Sequence, residues 1–255
     1  MAVYLVSDVH LRLDRPDRAD RFASLVDELN SDDRLTIVGD LCDFWFASRQ
    51  SKLEPLTCPG LKSLARFRDR GGVITLLVGN HDTWLGPFYQ KAFGAILVAD
   101  PHEFEAFGQR VIVSHGHLLG ARRWWKATME SEAFLKAFAL LPDFLANGFE
   151  RVLDIANERG RAASNQRHLI RYRAYADSSA DRADLVAFGH IHKSFDNNAK
   201  RPRLIVLGGW HQKTSCLRID AQGARLLFRP PPVETSEPAN ELRRHDGERV
   251  GKSEE

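Results

Sequence analysis

Five short polar clusters, each fixed to the end of a short apolar run, constrain this chain more than any other feature it has. Asp8 and His10 follow Val3–Val6, and Gly39-Asp40 follows Leu35–Val38. Gly79-Asn80-His81-Asp82 follows Val73–Val78, Ser114-His115-Gly116-His117 follows Val111–Val113, and Gly189-His190-Ile191-His192 follows Leu185–Phe188. Runs this short and this rich in branched residues read as buried strands. Sheets of the α/β class collect their chemistry at the carboxyl ends of their strands, so the clusters point to one shared centre. Glycine repeatedly adjoins the polar residue, which lets a tight loop turn the side chain inward.

One histidine after a strand is usually a satisfied structural residue, and one aspartate there is usually a turn or a helix cap. Seven metal-competent side chains at five strand ends are another matter. Asp8, His10, Asp40, Asn80, His115, His190 and His192 offer oxygen and nitrogen without thiolate. Such a set suits Mn²⁺, Fe²⁺ or Zn²⁺ better than a cysteine-rich structural zinc. Seven ligands are too many for one tetrahedral ion, and a shared carboxylate would divide them into two sites. Cys42, Cys58 and Cys216 have no paired spacing, which supports neither a disulfide framework nor a zinc ribbon.

The rest of the chain frames these clusters. Residues 1–117 alternate strands with helices, including an amphipathic stretch at Phe22, Leu25, Val26 and Leu29 and a helix over Leu61–Arg70 that stops at Gly71-Gly72. Phe104 and Ala106, then Gly108, suggest a hairpin into Val111–Val113. Residues 118–183 lack strand-like runs and read as a helical insertion, broken near Pro142 and Gly160, with a bulky stripe that includes Phe138 and Phe144. Strands resume at Leu185–Phe188, Leu204–Leu207, Cys216–Ile219 and Leu226–Phe228. Residues 230–255 are too polar to offset the entropy of ordering and are expected to be a disordered tail. The expected division is a core of residues 1–117 and 184–229, a cap of 118–183, and that tail.

The ordered set Asp8-Val9-His10, Gly39-Asp40-Leu41-Cys42-Asp43, Gly79-Asn80-His81-Asp82, His115 and Gly189-His190-Ile191-His192 resembles the calcineurin-like metallophosphoesterases. The resemblance implies an α/β fold of two packed mixed sheets flanked by helices (αββα), with a two-metal centre at their edge. Carried over position by position, it implies one ion on Asp8, His10, Asp40 and His192. The second would sit on Asp40, Asn80, His115 and His190, with Asp40 as the bridge. Two divalent ions, Mn²⁺ first among the expected metals, would lower the pKa of water and offset phosphoryl charge. His81 is then the catalytic residue that helps the leaving oxygen depart, and Asp43 and Asp82 orient the ligands.

A narrower likeness rests on Phe44-Trp45 after the second motif, on Leu207-Gly208-Gly209-Trp210-His211, and on the helical insertion. These features are similar to the UDP-2,3-diacylglucosamine pyrophosphatases of lipid A synthesis, in which the insertion caps the metals and holds acyl chains. The implied reaction releases UMP and a lipid monosaccharide phosphate. Trp124-Trp125 beside Arg122 and Arg123 suits a membrane interface or an anionic headgroup. Arg159, Arg161, Asn165, Gln166, Arg167 and Arg171 form a basic-polar band that could meet a diphosphate or uridine, or be a solvated helix face. The bulky stripe could equally dock the cap helices on the core. Those enzymes usually carry Arg where this chain has His81, and Asp where it has His117. His81 is the form expected of general metallophosphoesterases.

Three functions therefore stand side by side: a lipid A pathway pyrophosphatase, a phosphodiesterase or phosphatase acting on a nucleotide or nucleic acid, and a noncatalytic scaffold. The complete ligand set counts against the scaffold. A formal net charge of +2 argues against binding nucleic acid by bulk charge. No apolar run approaches the ~20 residues of a membrane span, and Met1–Val6 lacks the basic start of a signal peptide. The expectation is a cytoplasmic protein that touches the inner face of the membrane through its cap.

Overall fold

Branched and aromatic residues build two sheets that face each other. The structure is a computed structural model. It describes residues 1–12, 16–43, 58–82, 85–119, 164–198, 200–211 and 213–229, with isolated positions 131, 133, 134, 137 and 140. The first sheet contains β1 (Val3–Val6), β2 (Arg34–Val38), β3 (Val73–Leu77), β4 (Ile96–Leu97), β10 (Thr214–Asp220) and β11 (Gly223–Arg229). Its order is β11-β10-β1-β2-β3-β4. β1 to β4 run parallel, while β10 pairs antiparallel with both β1 and β11. The second sheet contains β5 (His102–Ala106), β6 (Gln109–Ser114), β7 (Leu185–Phe188), β8 (Phe195–Asp196) and β9 (Arg203–Val206), in the order β5-β6-β7-β9-β8. The expected hairpin is β5–β6, turning at Phe107-Gly108.

Both faces of the central strands β1 to β3 are largely buried, which is why they read as mainly apolar runs. Leu5, Val38, Leu77, Leu217 and Ile219 pack against Val111, Val113, Leu185, Ala187 and Ile205 of the second sheet, forming the inner core. On the other face, Val6, Leu35, Ile37, Ile74 and Leu76 meet α1 (Pro16–Asp27), α2 (Pro59–Asp69) and α3 (Gly86–Phe93), through Phe22, Leu64, Phe67, Tyr89 and Phe93. Pro59 opens α2 at a position that needs no amide donor, and Gly94, with φ of 66°, closes α3.

Within the stretch expected as a cap, residues 164–178 form a helix, α4. It packs Tyr172 and Ala176 on Ile112, Val186, Phe188, Leu204 and Val206, the outer face of the second sheet. Tyr172 stacks on Phe188 with centroids 4.0 Å apart and an interplanar angle of 12°. The layers therefore run helices, sheet, sheet, helix. Trp45, Arg122, Arg123, Trp124, Trp125, Phe138, Phe144, Arg159, Arg161 and the expected tail lie outside the described residues. No helix among the described residues is long and apolar enough to cross a membrane.

Candidate metal centre

The site begins in the backbone. Asp8, His10, Asp40 and His190 have φ of 54°, 50°, 53° and 64°, a left-handed region that side chains with a β-carbon rarely occupy. Phe107 is the one other non-glycine residue with such a φ among those described. Each such residue costs on the order of 1–3 kcal/mol, and strain of this kind collects where a side chain must be aimed. The loops after β1 and β2 hold one another in place: Asp8 N donates to Gly39 O at 3.2 Å, His10 N to Asp40 O at 3.1 Å and Leu11 N to Leu41 O at 2.9 Å. Gly39 (φ 76°) must be glycine, because a β-carbon there would collide with the His115 ring and the Gly79 backbone.

These turns bring the expected ligands together. Asp8, His10 and His192 offer ligand atoms within 4.8 Å of one another, and so do Asp40, His115 and His190. His10 and His192 bring their Nε2 atoms to 3.1 Å. Asn80 Oδ1 lies 3.2 Å from His115 Nε2, which is itself 3.3 Å from Asp40 Oδ2. Asp8 Oδ2 accepts from Ser7 Oγ at 2.7 Å and from His190 N at 2.8 Å. Its Oδ1 is buried and accepts no hydrogen bond from any described residue.

Electrostatics separates the histidines by role. Burial, with His10 and His211 beside it, pushes His192 down to about 2, and burial near His115 holds His190 well below the usual range. Both rings are neutral and keep a lone pair for a cation. Burial would also lower His115, but the charge and hydrogen bond of Asp40 outweigh it and raise the value to about 10. His115 Nδ1 donates to Val38 O at 2.9 Å, so its Nε2 is the atom turned to Asn80 and Asp40. Burial raises Asp8, whereas His115 and His81 hold Asp40 well below the ordinary carboxylate range despite its burial.

His81 and its supports sit beside this set. Its Nδ1 donates to Asp43 Oδ1 at 2.8 Å, and its backbone N donates to Asp40 Oδ1 at 2.9 Å. Burial works against its charge, but Asp40 and then Asp43 raise it to about 9. The side chain keeps 33% of its surface exposed. Asp82 is fully buried and accepts four donors: Gly79 N at 2.7 Å, Asp40 N at 3.3 Å, Leu41 N at 2.9 Å and Tyr89 Oη at 3.0 Å. It ties two site loops to α3.

Several participants were not apparent from the sequence. Arg12 Nη1 donates to Asp43 Oδ2 at 3.4 Å, and Asp100 Oδ2 accepts from His115 N at 3.1 Å. His168, on α4, lies edge-on to His190 at 4.9 Å between centroids. His211 stacks on His192 at 4.6 Å and 26°. Eight of the chain's ten histidines thus form two quartets. His10, His81, His192 and His211 make one, and His115, His117, His168 and His190 the other. Asp40 lies between them, 3.9 Å from His10 Nε2 and 3.3 Å from His115 Nε2. Of the expected substrate-facing residues, Asn165 is half-buried and Arg167 exposed on α4.

This donor set fits divalent ions. Imidazoles converge with carboxylate and amide oxygens, and the orphaned Oδ1 of Asp8 is a buried acceptor that a cation would satisfy.

The model of the family described as calcineurin-like phosphoesterase matches residues 1–194. A UDP-2,3-diacylglucosamine hydrolase of Aeromonas salmonicida is 31% identical over 249 residues, which cover 91% of this chain and 95% of that protein. The protein of that name from Hahella chejuensis is 27% identical over 244 residues, 89% of this chain and 97% of the other. Among solved structures, an archaeal phosphodiesterase aligns over 90% of this chain and 100% of its own, with 14% identity and a TM-score of 0.43.

Proposed function

The chain belongs to the calcineurin-like phosphoesterases, hydrolases of phosphorus-containing bonds, and on that footing we propose that it cleaves UDP-2,3-diacylglucosamine at its diphosphate, giving UMP and the lipid monosaccharide phosphate. The observation that carries this substrate is the match, over about nine-tenths of both chains, to relatives that bear its name. Asp8, His10, Asp40 and His192 would hold one divalent ion, and Asp40, Asn80, His115 and His190 the other, with Mn²⁺ as the working metal. Bound there, the ions lower the pKa of water and offset the charge of the phosphoryl group under attack.

The chain's own residues supply the rest. His81 donates Nδ1–H to Asp43, which leaves Nε2–H as the proton available to a departing oxygen. Against the pull of burial, Asp40 and then Asp43 raise His81 to about 9, which keeps that proton in place. Asp82 and the Val38 carbonyl fix the loops and the His115 ring without touching substrate.

An assay of the Mn²⁺-loaded protein on UDP-2,3-diacylglucosamine, with release of UMP as the readout, tests the substrate. Affinity should climb with acyl length by about 0.8 kcal/mol per buried methylene and then stop. Phe138→Ala or Phe144→Ala should weaken long-chain substrates selectively. Flat dependence on acyl length removes the lipid. One residue favours a second reading, a general phosphodiesterase: His81 stands where the lipid A enzymes usually carry arginine. Faster turnover of a simple chromogenic phosphodiester than of any UDP-sugar would establish it.

A further inference from the structure

We propose that His117 and His168 form a second anion contact beside the metal centre, one that receives the neighbouring phosphoryl group of a diphosphate substrate. The proposal rests on the diphosphate reading above and adds to it the residues that distinguish a diphosphate from a single phosphoester.

The two histidines arrive from separate elements. His117 lies three residues beyond the end of β6, and its ring centroid is 5.1 Å from His115 and 6.3 Å from His190. His168 comes from α4 and meets the same His190 ring at 4.9 Å. Neither enters any group of three ligand atoms within 4.8 Å among the described residues, so they flank the candidate ion site rather than belong to it. Both are only half-buried. An imidazole carries at least one N–H in either tautomer, so each ring can donate to a phosphoryl oxygen while uncharged.

The junction between the two elements is built to hold this pair. Arg171, on the turn of α4 after His168, donates from Nη1 to Leu119 O at 3.2 Å and so fastens the loop that carries His117. Tyr172 Oη donates to Gly189 O at 3.3 Å, beside His190. Gly116 (φ 90°) lets the loop lie directly against Tyr172, whose ring a β-carbon would strike. A fixed loop and a fixed helix bring two further imidazoles up to the His190 ring.

The test is binding of methylenediphosphonate, a non-hydrolysable diphosphate, against inorganic phosphate to the full-length Mn²⁺-loaded protein by calorimetry. Wild type should bind the diphosphonate more tightly. His117→Ala and His168→Ala should each weaken it about ten-fold, the scale of a hydrogen bond to a charged group, and leave inorganic phosphate and metal content unchanged. His168→Phe, which keeps a ring against His190 and removes its nitrogens, should reproduce the loss if the alanine variant fails to fold. Equal weakening of both anions, or no preference for the diphosphonate in wild type, overturns the proposal. Failure of the wider substrate reading looks different, because wild type would then prefer the diphosphonate yet release no UMP from a UDP-sugar.

Discussion

His81 and Asp43 are joined by a 2.8 Å hydrogen bond across 38 positions of chain, and Asp43 in turn accepts from Arg12. The carboxylate is held well below its ordinary pKa, against its burial, by His10 and His81. It therefore stays ionised and fixes one tautomer of the imidazole.

His81→Ala should slow hydrolysis by about 10²–10⁴-fold, the range of general acid groups. The loss should shrink as the leaving group becomes more acidic, because such groups need no proton. A series of aryl phosphodiesters measures this. A loss that ignores leaving-group pKa would mean that the ring only positions phosphate.

Asp40 faces both histidine quartets, whereas Asp43 touches only the first, at His10 and His81. Asp40→Ala should cost at least about 10²-fold in kcat, and clearly more than Asp43→Ala. Metal content by elemental analysis should fall for Asp40→Ala and hold for Asp43→Ala. Equal, mild effects would show that the bridge lies elsewhere.

Removing metal by chelation should abolish hydrolysis, and Mn²⁺ should restore it best. Without metal, His115 at about 10 and His81 at about 9 carry protons at neutral pH, each raised by Asp40 against the pull of burial. Ligation needs the His115 lone pair, so loading at pH 7.5 must release protons. Calorimetric titration in two buffers of different ionisation enthalpy counts them. Zero net release would contradict the protonated, metal-free state.

Stability should carry a separate pH signature at Asp196, on the short edge strand β8. Two hydrogen bonds from Arg203, at 3.0 and 2.6 Å, lower its pKa in the folded state, with burial opposing. A lowered folded value gives a contribution that is complete above the unfolded pKa of about 3.9 and lost as pH falls through the folded one. Water reaches this pair, so Asp196→Asn should cost only about 0.5–1 kcal/mol at pH 7. The cost should be smaller at about pH 3 than at pH 7, where the carboxylate is fully ionised in both states. Urea unfolding of both proteins at the two pH values checks the sign.

The strand ends and their ligands were legible because each motif follows a run whose burial on both faces leaves few polar interruptions. Leu185–Phe188 is a continuous apolar stretch and Leu35–Val38 is broken only by Thr36, and the first charged or ligand-competent residues after them are Asp40 and His190. His168 was not legible. It stands within a helix, after Asn165, Gln166 and Arg167, and its partner His190 lies across a sheet-to-helix contact that no local spacing encodes. His211 could be found only as part of the Gly-Gly-Trp-His turn, whose Trp210 is buried against Phe22 of α1 at 5.5 Å between centroids. The eight-residue α3 spans barely more than two turns, too few for a clear helical period, and the two-residue β8 has no pattern at all.

The first histidine quartet includes His10 from the start of the chain and His192 and His211 from its last quarter. During synthesis, β1 to β4 and their helices can pack long before residue 192 leaves the ribosome, but the first candidate ion site cannot close. The choice of metal then belongs to the finished protein and to the ion pool it meets after release, and not to whichever cation is present at the exit tunnel.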